Sequence, residues 1–274
     1  MKSFAATDIS TYEMQDIMKY AIAPRPIALA STIDSEGNCN LSPFSFFNMF
    51  SAKPPILIFS PLRQGKDDPN KDSLRNILEV PEVVIGLVNF DIVQQISLAS
   101  APFGREVNEF EKVDLTTLDA DLVKPKLIAE CPVNFECKVL EVKALGENAG
   151  AGNLIICEVL KVHVKDDCFG EDGKIDQAKL DLVARLGGDW YSRNNDQNLF
   201  KVPRPNNQNI GINNLPFELR SSKVFTGNDL GMLANIDALP EALFSSDVDH
   251  HKKAQNFLLQ NRIEEAWEVL ILKS

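Results

Sequence analysis

The sequence predicts a mainly β protein, a barrel carrying short helices, followed by an extension that ends in a helix. Three observations lead there. Short apolar runs rich in β-branched residues, each bounded by turn residues, recur as far as Val164. Long helices do not alternate with them, which argues against a βαβ fold. A connection rich in Asn, Gln, Pro and Arg, Asn194 to Asn214, then precedes a stretch of different character, so the domains are set at 1–193 and 194–274.

The elements follow in order. Pro26 to Thr32 is an apolar strand entering the turn Asp34-Ser-Glu-Gly-Asn38, and a second strand leaves near Asn40, which makes a hairpin. Pro55 to Ser60 and Glu82 to Val88 are buried strands, separated by a polar loop and a helical stretch from Asp72 to Leu78. Ile92, Val93, Ile96 and Ala99 give Phe90 to Ser100 helical spacing. Val133, Phe135, Cys137 and Val139 alternate with polar residues, and Leu154 to Val164 is β-rich and apolar enough for mid-sheet. The glycine-rich loop Gly146 to Gly152 joins these two strands. At the end, Phe257, Ile263, Ala266, Trp267, Leu270 and Ile271 predict one amphipathic helix over Asn256 to Leu272.

Composition narrows the function classes. The 274 residues carry 28 Lys+Arg against 39 Asp+Glu, a net charge of −11, which is the wrong sign for a nucleic-acid surface. No stretch approaches the ~18 apolar residues that cross a bilayer, and the N-terminus lacks a signal-peptide apolar region, so a cytoplasmic chain without membrane contact is expected. Five cysteines, odd in number and without a Cys-x-x-Cys, predict reduced buried thiols, and no cluster has metal-ligand spacing.

Four places could carry chemistry. Asn40-Leu-Ser-Pro-Phe-Ser-Phe-Phe-Asn48 mixes aromatic, hydroxyl and amide groups, which suits either a flat polar heterocycle or a strand end turning out of a sheet. Lys66 to Asn76 places Lys71, Asp72, Ser73 and Arg75 at a helix start, which is a phosphate site or a capped surface helix. In Arg185-Leu-Gly-Gly-Asp-Trp-Tyr191 the glycines permit close backbone approach, with Arg185 and Tyr191 facing a ligand or anchoring a turn. His163 is a hydrogen-bonded structural residue or a catalyst. Rossmann, P-loop and serine-hydrolase signatures do not occur.

The order of Pro24-Arg-Pro-Ile-Ala-Leu-Ala-Ser-Thr32, Asn40 to Asn48, Pro54-Pro55 and Lys71-Asp-Ser-Leu-Arg-Asn-Ile77 closely resembles the flavin reductase-like, FMN-binding split-barrel family. Asn108-Glu-Phe110, Glu136-Cys137, Gly152 to Val159 and Arg185-Leu-Gly-Gly-x-x-Tyr191 agree with it, so the resemblance covers about Ala21 to Tyr191. Thr226 to Gly231 looks like the C-terminal extension of longer members.

The resemblance implies an FMN-binding split barrel working as a homodimer, with flavin near the subunit interface. Ser42, Pro43, Phe44, Ser45, Phe46, Phe47 and Asn48 would line the ring system and ribityl chain. Lys71, Asp72 and Ser73, the last where the family usually has threonine, would hold the phosphate with Ser31 and Thr32. Substrate space would be shaped by Asn108, Glu109, Phe110, His163, Arg185 and Tyr191. The implied activity is an oxidoreductase in which NAD(P)H reduces FMN, which passes electrons to free flavin, a protein or a small acceptor. A flavoredoxin-like electron carrier and an FMN-binding protein without turnover are the alternatives. A bound flavin carries the redox chemistry, so the chain needs no catalytic triad or metal cluster of its own.

Overall fold

The hairpin forms as its turn residues dictate. Asp34 Oδ1 accepts the N–H groups of Glu36 and Asn38, Gly37 takes the left-handed φ of 96° that suits a residue without a Cβ, and the flanking strands pair with Ser31 opposite Leu41. The computed structural model describes residues 1–63, 72–205 and 208–272. Its chain divides into two units, Met1–Leu199 and Phe200–Ser274.

The first unit runs α1 (Thr11–Ala21), β1 (Ala28–Ile33), β2 (Cys39–Phe44), β3 (Phe47–Ala52), β4 (Pro55–Phe59), α2 (Asp72–Glu79), β5 (Glu82–Leu87), α3 (Val93–Leu98), α4 (Glu109–Lys112), β6 (Thr117–Leu118), β7 (Leu127–Ile128), β8 (Val133–Ala144), β9 (Asn153–Val164), α5 (Gln177–Leu180), β10 (Val183–Arg185) and β11 (Tyr191–Arg193). Seven strands form one antiparallel sheet in the order β2-β1-β5-β8-β9-β4-β3. β2 and β3 occupy its two edges, yet only Ser45 and Phe46 separate them in the chain. The sheet must therefore curl until its edges approach, giving a barrel split at that corner.

Side-chain alternation sends successive residues of β1 to two cores. Ala28 and Ala30 join Phe44, Phe59, Ile85, Cys137 and Ile155 in one core, closed by Leu74 and Ile77 of α2. Leu29 faces the other way, with Leu41, Val84, Ile96 of α3 and Phe110 of α4. The outward N–H of Leu41 on the β2 edge is taken by the Glu109 carboxylate at 3.1 Å, which satisfies a donor that an open edge would leave bare.

The second unit holds α6 (Phe217–Arg220), α7 (Gly227–Leu233), β12 (Leu243–Phe244), α8 (Val248–Leu259), α9 (Ile263–Leu270) and β13 (Ile271–Leu272). Its core is built from Leu219, Leu233, Ala254, Leu258, Ala266, Trp267 and Leu270. The single terminal helix expected from spacing is two helices and a strand. Asn261 adopts φ 58° and breaks the helix, and Ile271–Leu272 pairs with Leu243–Phe244. Both helices face one core, so the apolar rhythm crosses the break: the rhythm reports burial, not continuity.

Candidate functional site

At the barrel's split corner lies a mostly apolar cavity of about 600 Å³. Ser45, Phe46, Phe47 and Asn48 supply one wall, Pro24 to Pro26 and Gly150 contribute, and α1 with the Ile22 that follows it supplies another through Met14, Gln15, Met18, Lys19 and Ile22. The sequence reading missed α1. Ser10-Thr-Tyr-Glu13 is a capping box, with Ser10 Oγ accepting Glu13 N–H at 3.2 Å and the Glu13 carboxylate accepting Ser10 N–H at 2.9 Å. Met14, Met18 and Ile22 follow at i, i+4 and i+8, the spacing that could have found the helix.

α1 is seated by its C-terminal end. The buried Arg25 guanidinium donates to the carbonyls of Lys19 (2.6 Å), Ile22 (2.8 Å) and Leu186 (2.8 Å), so one cation satisfies two orphan helix carbonyls and ties them to the loop after β10. Burial, and then the neighbouring Arg185 charge, pull the Arg25 pKa below its usual value. The glycine pair of the Arg185–Tyr191 motif makes its close approach here, to Tyr20 of α1.

A second group of residues meets between β1, β2 and α2. Thr32 Oγ1 accepts amide N–H groups from Asn40 and Asn76, each at 3.3 Å, and Asn40 also donates to Ser73 Oγ at 2.9 Å. All four are buried. Among the described residues Ser73 Oγ accepts from Asn40 and donates to none, at the start of α2. Asp72 lies 3.7 Å from Arg75, and Lys71 lies outside the described residues. Ser31 and Thr32, expected at one phosphate, point to opposite faces of β1. The Ser31 hydroxyl lies on the Leu29 side, buried and without a hydrogen-bond partner among the described residues.

The remaining expected residues separate. Phe44 belongs to the core, its ring 5.2 Å from that of Phe59, while Ser42 and Pro43 beside it are half-buried. Phe110 is also a core residue, 2 % exposed. Asn108 caps α4 by accepting Phe110 N–H at 3.1 Å, and Glu109 serves the β2 edge. Arg185 stacks over Tyr191 at 4.6 Å, and both border a separate cavity of about 540 Å³. Reciprocal backbone bonds between Arg25 and Arg185, 2.8 and 2.9 Å, join a residue lining each of the two cavities.

His163 is tied to Glu136. Its Nε2 lies 2.6 Å from Glu136, whose carboxylate also accepts the N–H groups of Asp121 (3.0 Å) and Leu122 (2.6 Å). Burial pushes the Glu136 pKa up, but the His163 bond and those two N–H groups outweigh it and hold the carboxyl below its usual range. Asp121, Glu136 and His163 gather ligand atoms within 4.8 Å, yet the Glu136 oxygens are committed to these bonds and Asp121 is paired with Lys161. The five thiols are free, and burial raises them, Cys137 to about 12, so none is a ready thiolate.

A barrel split at a ligand-sized corner defines the class, and comparison gives the family: residues 20–179 match the flavin reductase like domain, and the chain belongs to that family. An uncharacterized protein of Halalkalibacterium halodurans is 34% identical over 199 residues, 72% of this chain and 93% of its own length. Another, of Aquifex aeolicus, is 34% identical over 170 residues, 62% of this chain and 84% of its own. Among solved structures, nitrilotriacetate monooxygenase component B from Bacillus cereus superposes with a TM-score of 0.68 at 26% identity, covering 74% of this chain and 98% of that one. No helix among the described residues is long and apolar enough to cross a membrane.

Proposed function

We propose that the chain binds FMN at the split corner of the barrel and works as an NAD(P)H-dependent oxidoreductase, with a second copy of itself as partner. The observation that carries this reading is the cavity at Ser45 to Asn48, inside the segment that belongs to the flavin reductase-like family. Bound flavin supplies the redox chemistry.

The residues present fit that group. Asn40, tied to Ser73, lies on β2, and Ser45, in the cavity wall, lies just past its end, five residues on and at most about 16 Å away at ~3.3 Å per residue. That separation suits a phosphate at one end and a ring system at the other. At the phosphate end, Ser73 offers an O–H that donates to none of the described residues and α2 offers its first backbone N–H groups, where an anion is favoured. Lys71 is proposed as the accompanying cation. At the ring end, Phe46, Phe47 and the α1 methionines exclude water, while Ser45 and Asn48 provide polar groups at the rim.

Edge strand β3 exposes Met49 and Phe50, and α1 exposes Tyr12 and Ile17, which is the apolar surface a symmetric partner would cover. Anaerobic stopped-flow mixing of FMN-loaded protein with NADH and with NADPH tests the reading. Bleaching faster than that of free FMN supports it. If neither nucleotide bleaches the flavin faster, the reductase reading falls and the electron-carrier reading replaces it.

A further inference from the structure

Resting on the reading of this cavity as the reaction site, we infer that α1 makes it selective for an aromatic carboxylate, held by Lys19. α1 is capped at its N-terminus and anchored by Arg25 at its C-terminus, yet not one of its residues is buried. An anchored amphipathic helix with no fully buried residue leaves its apolar stripe facing open space, and the Met14, Met18 and Ile22 stripe lines the cavity. Methionine side chains opposite Phe46 and Phe47 give adaptable sulfur and aromatic faces, which favour a ring over an aliphatic chain.

Lys19 adds the charge. Its ammonium donates to Gln15 Oε1 at 3.0 Å and has no carboxylate partner among the described residues, although acids outnumber bases 39 to 28 in the sequence. Lys19 is half-buried in the cavity lining, so a ligand carboxylate entering there meets an ammonium that no described carboxylate already holds. The family match begins at residue 20, so this wall and its cation lie almost wholly outside the shared domain.

The probes are benzoate and benzamide, equal in shape and different in charge, titrated calorimetrically into the full chain with and without saturating FMN. Benzoate should bind at least about tenfold more tightly than benzamide. Lys19→Met should erase that preference while leaving benzamide affinity and the melting temperature unchanged, and Lys19→Arg should retain it. Met18→Ala should weaken both probes alike. Equal affinity for the two probes, or a benzoate preference that survives Lys19→Met, overturns the inference. The flavin reading fails separately: its readout is the FMN absorption shift, recorded without either probe.

Discussion

The ring of Tyr20 lies against the backbone of Gly187 so closely that a Cβ built there would sit 2.4 Å from Tyr20 Cγ. One residue on, Gly188 holds a left-handed φ of 55°, and a Cβ there would meet the Tyr20 hydroxyl at 2.8 Å. The double glycine is thus the seat of α1. Gly187→Ala should push the ring off its seat and cost about 1–3 kcal/mol, as overpacking does. Thermal melts and proteolysis between residues 10 and 25 check this. Unchanged cleavage there would mean that α1 does not depend on the contact.

Arg25 is the other anchor. Arg25→Lys keeps the charge but cannot reach three carbonyls in two directions, so it should destabilise the first unit by on the order of 2 kcal/mol, read from the urea midpoint. A loss no larger than that of an exposed substitution would show that water replaces the guanidinium.

Glu136 should contribute stability that depends on pH. Its folded-state pKa is held below the ordinary 4.5, so the stabilisation is complete above that value and disappears as pH falls through the folded-state pKa. Glu136→Gln should therefore cost about 1–3 kcal/mol near pH 7, since one N–H partner is lost, and less near pH 3. Unfolding midpoints at the two pH values give the answer; a gap independent of pH would remove the carboxylate from the account.

Ser73→Ala should weaken FMN about tenfold and riboflavin hardly at all, because only FMN carries the phosphate that the Ser73 O–H would meet. Equal losses for the two flavins would mean that Ser73 acts only through Asn40.

Light scattering addresses the partner. The expected mass is twice the 30.4 kDa of the chain, and Phe50→Glu on edge strand β3 should return it to the monomer value. A monomer at micromolar concentration with FMN bound would dispose of the symmetric partner.

Strands β1, β2, β4, β5, β8 and β9 and the hairpin turn at Asp34 to Asn38 were legible in the sequence, as was the mixed composition of Asn40 to Asn48, because turn chemistry and side-chain alternation are local and leave local marks; edge strand β3 and the short two- and three-residue strands were not. The sequence also carried the family motifs that point to flavin. Tertiary structure alone decided which residues meet. Ser31 and Thr32 are adjacent in the chain, yet the pleat sends them to opposite faces of β1, and Phe110, from the same motif as Asn108 and Glu109, packs in the core. α1 escaped notice although its capping box was legible, since a helix with no fully buried residue leaves its apolar stripe without an obvious partner. That stripe acquires one only when β2 and β3, the two edges of one curled sheet, come together at Ser45 and Phe46 and open the cavity it lines. Closure of a sheet couples residues far apart in sequence, and no local pattern encodes that distance.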